Sequence, residues 1–169
     1  LVEQSGDVGG ISTSGLMSHW TGSCGSPLYY EILKRTSQNN EGHFKNKITN
    51  LIDPEKLKTL YLEMLYEVGC KVMLYTFAED AICDGDKVLG ATVINKSGKT
   101  DIYAKITIDA TGDGDIAARA GAEFVLGRES DNKMQPATLM FKIGGVDYDR
   151  AVFLGSFEST YDTPQGELQ

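Results

Sequence analysis

The stretch "ITIDATGDGD", residues 106–115, sets a β-prone run against a turn that holds three aspartates and two glycines. Such a turn can cage a hard cation, or it can end a strand beside a phosphate-bearing ligand. The two uses make opposite electrostatic demands, and the choice between them decides the fold. A calcium loop of the EF-hand type needs oxygen ligands at its first, third and fifth positions, glycine at the sixth and a bidentate glutamate at the twelfth. Counted from Asp109, the ligands would be Asp109, Thr111 and Asp113, with Gly114 sixth, but the twelfth residue is Ala120. The run before it is also strand-like rather than helical, so calcium lacks its decisive ligand here.

The position at a strand end points elsewhere. In an α/β sheet, ligands bind beyond the carboxyl ends of strands, where a turn leads into a helix. Gly112 has no Cβ to hold a ligand away. The N–H groups of the following helix attract negative groups, and Asp113 or Asp115 is expected to cap it. A carboxylate there can also accept hydrogen bonds from sugar or polyol hydroxyls. An ordinary aspartate cap on a glycine turn accounts for the same letters, so the stretch needs support from the rest of the chain.

Upstream, "KVMLYTF" (71–77) predicts a largely buried strand. "KVLGATVIN" (87–95) and "TDIYAKITIDA" (100–110) follow it behind the turn-formers "DGDK" and "NKSGK". Together they predict a small antiparallel meander, at about 79–105, whose last strand runs on into the aspartate turn. Downstream, "GDIAARAGAEF" (114–124) predicts a short helix and "ATLMFKIGGVDY" (137–148) a final strand.

Before the meander stands the clearest element of the chain. Asp53 suits a helix N-cap, Pro54 the first helical position and Gly69 a stop. Leu57, Leu60, Tyr61, Met64, Leu65 and Val68 fall along one helical face. A shorter helix is expected at 27–37, opened by Pro27. The chain opens on "LVEQSG", where Leu1 and Val2 read as the tail of a buried strand. A loop rich in glycine and hydroxyl residues follows, with Leu16, Met17 and Trp20 to bury.

Three features of that opening stand in an informative order. Glu3 is an acid at a strand end, the place where nucleotide-binding folds grip ribose hydroxyls. Gly9 and Gly10 then offer bare backbone N–H groups and close approach. The turn at Gly112 and Asp113 supplies the third. Each alone is ordinary, since strands often end in acids and glycine doublets usually just turn the chain.

Composition narrows the classes further. The 169 residues are 41% apolar and 24% charged, with a formal net charge of -8, and the length suits one domain with a real core, or one and a half small ones. Without Lys and Arg clusters the chain is not expected to bind nucleic acid, and no apolar run approaches the roughly 20 residues of a membrane helix. Cys24, Cys70 and Cys83 form no C-x-x-C pair and are expected to be reduced, mostly packed thiols. There is no initiator Met and no signal-peptide pattern, and the end, "STYDTPQGELQ", is polar. The sequence is therefore expected to be an internal piece of a longer protein, in the cytoplasm.

"LVEQSGDVGGISTSGL", "DPEKLKTLYLEMLYEVGCKVMLYT" and "IDATGDGDIAARAGAEFVLGRESDNKMQPATLMFKIGGV" together resemble the FAD-dependent oxidoreductases of the glutathione-reductase-type fold. The resemblance covers most of residues 1–148, and "IDATGDGD" is its most specific part. It implies an α/β fold, part of a FAD/NAD(P)-binding, Rossmann-like domain over 1–133 with the meander inserted. Residues 134–169 would begin a substrate domain or form a tail. By the same resemblance Glu3 would hold the adenosine ribose. Gly9 and Gly10 would pass close to FAD, with Ser12 and Thr13 leading towards the flavin ring. The backbone of Ala78 would meet adenine, and Gly112 and Asp113 would lie near the pyrophosphate and ribityl chain.

The family's G-x-G-x-x-G turn, expected roughly 20 residues before Glu3, is not in these residues, and without it the chain alone is expected to hold FAD poorly. The implied function is hydride transfer from a small-molecule substrate to flavin. The alternative is a non-enzymatic binding module whose acidic loop at 109–115 is stabilised by calcium. A NAD-binding Rossmann protein fits less well, because a meander immediately precedes the aspartate turn. No residue for the chemical step stands out: His19, Trp20 and Cys24 lie in the loop leading towards the ring, and His43 in a polar linker, but none carries a partner motif.

Overall fold

The computed structural model describes residues 1–17, 19–21, 25–36, 49–147 and 149–151. Cys24, His43 and the polar tail lie outside these residues, as does the side chain of His19.

The main core sits between two helices, α1 (Pro27–Thr36) and α2 (Pro54–Glu67). Asp53 caps α2 by accepting the Glu55 N–H at 2.9 Å, with Pro54 at the first helical position. Gly69, left-handed at φ 68°, closes its other end by donating to the Tyr66 carbonyl at 2.9 Å. Leu57 and Leu60 from α2 meet Leu33 of α1 and Ile52, with Trp20, Tyr29, Ile32, Tyr61 and Met64 packed around them. Each leucine so buried contributes about 1.5–3 kcal/mol. Arg35 ties the helices on the outside through paired bonds to Glu67, at 2.8 and 3.1 Å. Val68 departs from the expected face: α2 ends before it, and it is 78% exposed. A short antiparallel pair, β1 (His19–Thr21) and β2 (Thr49–Leu51), was not signalled by the sequence.

The meander is present. It consists of β3 (Phe77–Asp84), β4 (Lys87–Asn95) and β5 (Gly98–Tyr103), antiparallel in the order β3-β4-β5. Gly85, at φ 57°, turns the first hairpin, as the hairpin twist requires. The short helix α3 (Asp115–Arg119) packs against β3, and Arg119 donates from its guanidinium to the Glu79 carbonyl. The result is an α/β arrangement of helices with the three-stranded antiparallel sheet and the short β1–β2 pair. Among the described residues no helix is long and apolar enough to cross a membrane.

Four expected features are corrected. Residues 71–76 are not a buried strand. They join residues 1–5 through a single parallel bridge, Val2 with Met73, flanked by bonds from Met73 N–H to Leu1, Glu3 N–H to Met73 and Thr76 N–H to Glu3, each 2.9 Å. Tyr75, left-handed at φ 49°, breaks the ladder beyond Glu3, and Leu1, expected to be buried, is 50% exposed. Next, the last meander strand stops at Tyr103 instead of running into the aspartate turn. Ala104 N–H makes the final bond to β4, at Leu89, and the chain then peels away towards α3, leaving Ile106 and Ile108 exposed. The final strand expected at 137–148 is also missing over 137–147: Leu139, Phe141 and Ile143 keep their alternation but are exposed and unpaired. Alternation marks a face, and a strand also needs a neighbour to bond. Lastly, Cys83 is an exposed thiol rather than a packed one, while Cys70 is half-buried.

Candidate functional site

Glu3 ends the extended opening segment, and its neighbours decide what it can do. Oε1 accepts both the N–H of Ser5 at 2.8 Å and its hydroxyl at 2.7 Å. The same hydroxyl also lies 2.7 Å from the Asp7 carbonyl, so it can serve either acceptor. Oε2 accepts no hydrogen bond among the described residues. The carboxylate is thus oriented by its own chain with one oxygen to spare. Ser5 was missed by the sequence reading, although the short E-x-S spacing is one at which a hydroxyl can reach back to an acid.

After Glu3 the chain turns sharply. Gly9 (φ 107°) and Gly10 (φ 53°) are both left-handed, and Gly10–Ser12 forms a single 3-10 turn. Thr13 anchors it from beneath: wholly buried, it donates its hydroxyl to the Val8 carbonyl at 2.7 Å. The turn leans on α2. A Cβ at Gly9 would come within 2.6 Å of the Tyr61 ring, and Lys58 pairs with Asp7 at 3.1 Å. Burial pushes the Tyr61 hydroxyl above its ordinary pKa. On its outer side the turn is open, with nothing among the described residues within 4 Å of where a Cβ of Gly10 would lie.

Ala78 sits in β3 opposite Val93, at an irregularity between Ala78 and Asp80. The Thr76–Glu3 bond brings the start of β3 to the strand end that carries Glu3.

The aspartate turn is organised by a residue to which the sequence reading gave no capping role. Asp109 Oδ1 accepts the Thr111 N–H at 2.9 Å and Oδ2 the Ala117 N–H at 2.8 Å. The Thr111 hydroxyl accepts the Asp115 N–H at 2.9 Å. The residue at the N-cap position itself, Gly114, has no side chain to offer. The expected cap from Asp113 or Asp115 is therefore corrected to one from Asp109 and Thr111, whose D-x-T spacing is that of an Asx-turn. These N–H donors, Thr111 first, hold the Asp109 carboxyl below the usual carboxylate range.

Two consequences follow. Both Asp109 oxygens are already engaged by backbone N–H groups, and no metal-holding group of three or more His, Cys, Asp or Glu occurs among the described residues. The acids past the turn are also relieved of capping. Asp113 is exposed and makes no hydrogen bond or ion pair among the described residues, and Gly112 (φ 93°) has open space where a Cβ would be.

The candidate residues thus fall into two groups. Glu3, Gly9, Gly10, Ser12 and Thr13 lie on one continuous segment, to which the start of β3, leading to Ala78, is bonded. Gly112 and Asp113 lie at the turn into α3, which packs against β3, and no hydrogen bond among the described residues joins them to the first group. Trp20 belongs to the core, stacked on Tyr29 at 5.9 Å between ring centroids.

No curated protein matches the chain. The sequence model of a family described as FAD dependent oxidoreductase matches residues 1–167. The residues present fit that cofactor: among the described residues, an oriented acid with one oxygen that accepts no hydrogen bond, a left-handed glycine turn open at Gly10, and an aspartate without a bond. The chain belongs to the FAD-dependent oxidoreductase family, and its cofactor is FAD.

Proposed function

We propose that these residues form the adenosine-facing and ribityl-facing surface of a flavin site in an enzyme that passes a hydride from a small-molecule substrate to the flavin. The observation that carries this reading is the state of Glu3, with Oε1 fixed by Ser5 and Oε2 free among the described residues. A carboxylate held in this way suits a ribose diol, because its orientation costs no further entropy on binding. Ala78, just beyond the Thr76 that bonds Glu3, would offer its backbone to adenine. Gly10 and Gly112 leave the room that close approach of a cofactor needs. Asp113 would accept hydrogen bonds from ribityl hydroxyls. Ser12 and Thr13 would lead towards the ring, Thr13 through its backbone, since its hydroxyl is committed to Val8. Residues 1–133 would belong to a Rossmann-like FAD-binding domain and 134–169 to the start of a substrate domain.

Bound FAD supplies the two-electron redox chemistry, and the residues described here bind and orient it. The test is flavin content in the protein purified at its full native length. The expected result is a yellow protein that loses flavin on gel filtration when Glu3→Ala or Asp113→Ala is introduced. A colourless full-length protein whose melting temperature ignores added FAD would overturn the reading. Wild-type retention in both variants would overturn the residue assignments.

A further inference from the structure

Tyr75 departs from the pattern of the fold in three ways. It adopts φ 49°, a left-handed conformation that side chains with a Cβ avoid, and an aromatic residue there must be held by its surroundings. It is 74% exposed, whereas Trp20, Tyr29 and Tyr61 pack against the core. Its ring lies across Gly6, so close that a Cβ there would come within 2.6 Å of Cζ and 3.1 Å of Cε1. Only glycine at position 6 lets the ring take this place.

The location gives these departures a common use. The Tyr75 N–H donates to the Ser5 carbonyl at 3.1 Å, and the next residue, Thr76, donates to the Glu3 carbonyl at 2.9 Å. Tyr75 is therefore the extra residue that breaks the parallel pairing beside Glu3, and its left-handed turn carries the ring over the segment just past Ser5. The same segment is tied to Glu3 through the backbone of Thr76, and β3, which carries Ala78, begins two residues after Tyr75. A strained, solvent-facing aromatic ring adds little to the fold, but it offers a flat π-face on the segment bonded to the backbone of Glu3.

We propose that Tyr75 is a cofactor-binding residue that stacks on the adenine base of FAD. This rests on the reading of Glu3 as the ribose-binding acid. Aromatic faces accept nucleobases without a defined hydrogen-bond pattern, and the role leaves the backbone of Ala78 to meet the base edge.

The experiment compares FAD with FMN on the full-length apoprotein by flavin fluorescence titration, because FMN shares the ring, ribityl chain and a phosphate but lacks adenosine. Tyr75→Leu is expected to weaken FAD binding about 5- to 150-fold, the range of base–aromatic stacking, and to leave FMN binding unchanged. Tyr75→Trp should restore FAD affinity. Tyr75→Gly, which relieves the left-handed strain, should keep or raise the melting temperature and still weaken FAD, an outcome a purely structural role would not give. Unchanged FAD affinity in Tyr75→Leu and Tyr75→Gly, or equal losses for FAD and FMN, would overturn the proposal. Glu3→Ala separates the two layers. Normal FAD affinity in Glu3→Ala removes the ribose reading and the stacking role with it. Weakened affinity in Glu3→Ala beside normal affinity in Tyr75→Leu overturns the stacking role alone.

Discussion

The Ala117 N–H donates to Oδ2 of Asp109 at 2.8 Å, so an acid that precedes the glycine turn clamps the helix that follows it. The other oxygen takes the Thr111 N–H. Asp109→Asn keeps the shape but has only one acceptor oxygen, which leaves one of these N–H groups without its partner. The expected loss is about 1–2 kcal/mol, read as a lower urea midpoint with an unchanged slope.

The same contact makes stability depend on pH with a definite sign. The N–H donors favour the charged carboxylate, so Asp109 ionises at lower pH in the folded protein than in the unfolded chain, where aspartate titrates at about 3.9. Its contribution is complete above the unfolded value and is lost as pH falls through the folded one. The stability gap between wild type and Asp109→Asn should be full near neutral pH and shrink only in this acid range. A gap that stays constant into strong acid would show that the charge of Asp109 does not matter.

Gly9 and Gly10 should respond unequally to alanine, although both are left-handed. At Gly9 the new Cβ would lie 2.6 Å from the Tyr61 ring and 2.8 Å from the Thr13 methyl, while at Gly10 it meets nothing among the described residues within 4 Å. Gly9→Ala is expected to cost about 2–4 kcal/mol, strain and overpacking together. Gly10→Ala should cost about 1 kcal/mol, from backbone strain alone. Thermal melts of the two variants give the comparison, and equal losses would mean that Tyr61 yields freely.

Thr13→Val tests the anchor under the turn. Valine matches the shape of threonine but leaves the buried Val8 carbonyl without the hydroxyl now 2.7 Å away. The expected cost is about 1–2 kcal/mol. Thr13→Ser, which keeps the donor, should restore protection of the Gly9–Gly10 amides in hydrogen exchange even if it packs less well.

What could be read from the sequence was what neighbours along the chain decide. Asp53, Pro54 and Gly69 bound α2 because caps and stops act within a turn, and Gly85 marks its hairpin for the same reason. Val68 continued the apolar periodicity, but the helix had already ended. Strands at 71–77 and 137–148 were expected from composition, yet a strand exists only with a partner, and composition names none. Tyr75, whose left-handed turn interrupts the first of these, belongs to a residue type that gives no warning of such a conformation. At the candidate site, Glu3 and the glycines stood out by type and order. Ser5 and Asp109, which orient the acid and relieve the turn, act through specific bonds that letters suggest only by spacing.

The parallel bridge between Val2 and Met73 sets an order of assembly. The meander pairs only strands adjacent in sequence, and hairpins of this kind close in about 1–10 μs. Residues 1–5 are made before them, yet their hydrogen-bonding partners at 73–76 leave the ribosome only after α1 and α2 have been synthesised. The edge that carries Glu3 is thus translated before its partners and is among the last to find its place, since closing so long a loop is slow. Acquisition of flavin would therefore mark the end of folding, and its appearance in a refolding experiment should lag behind the sheet signal.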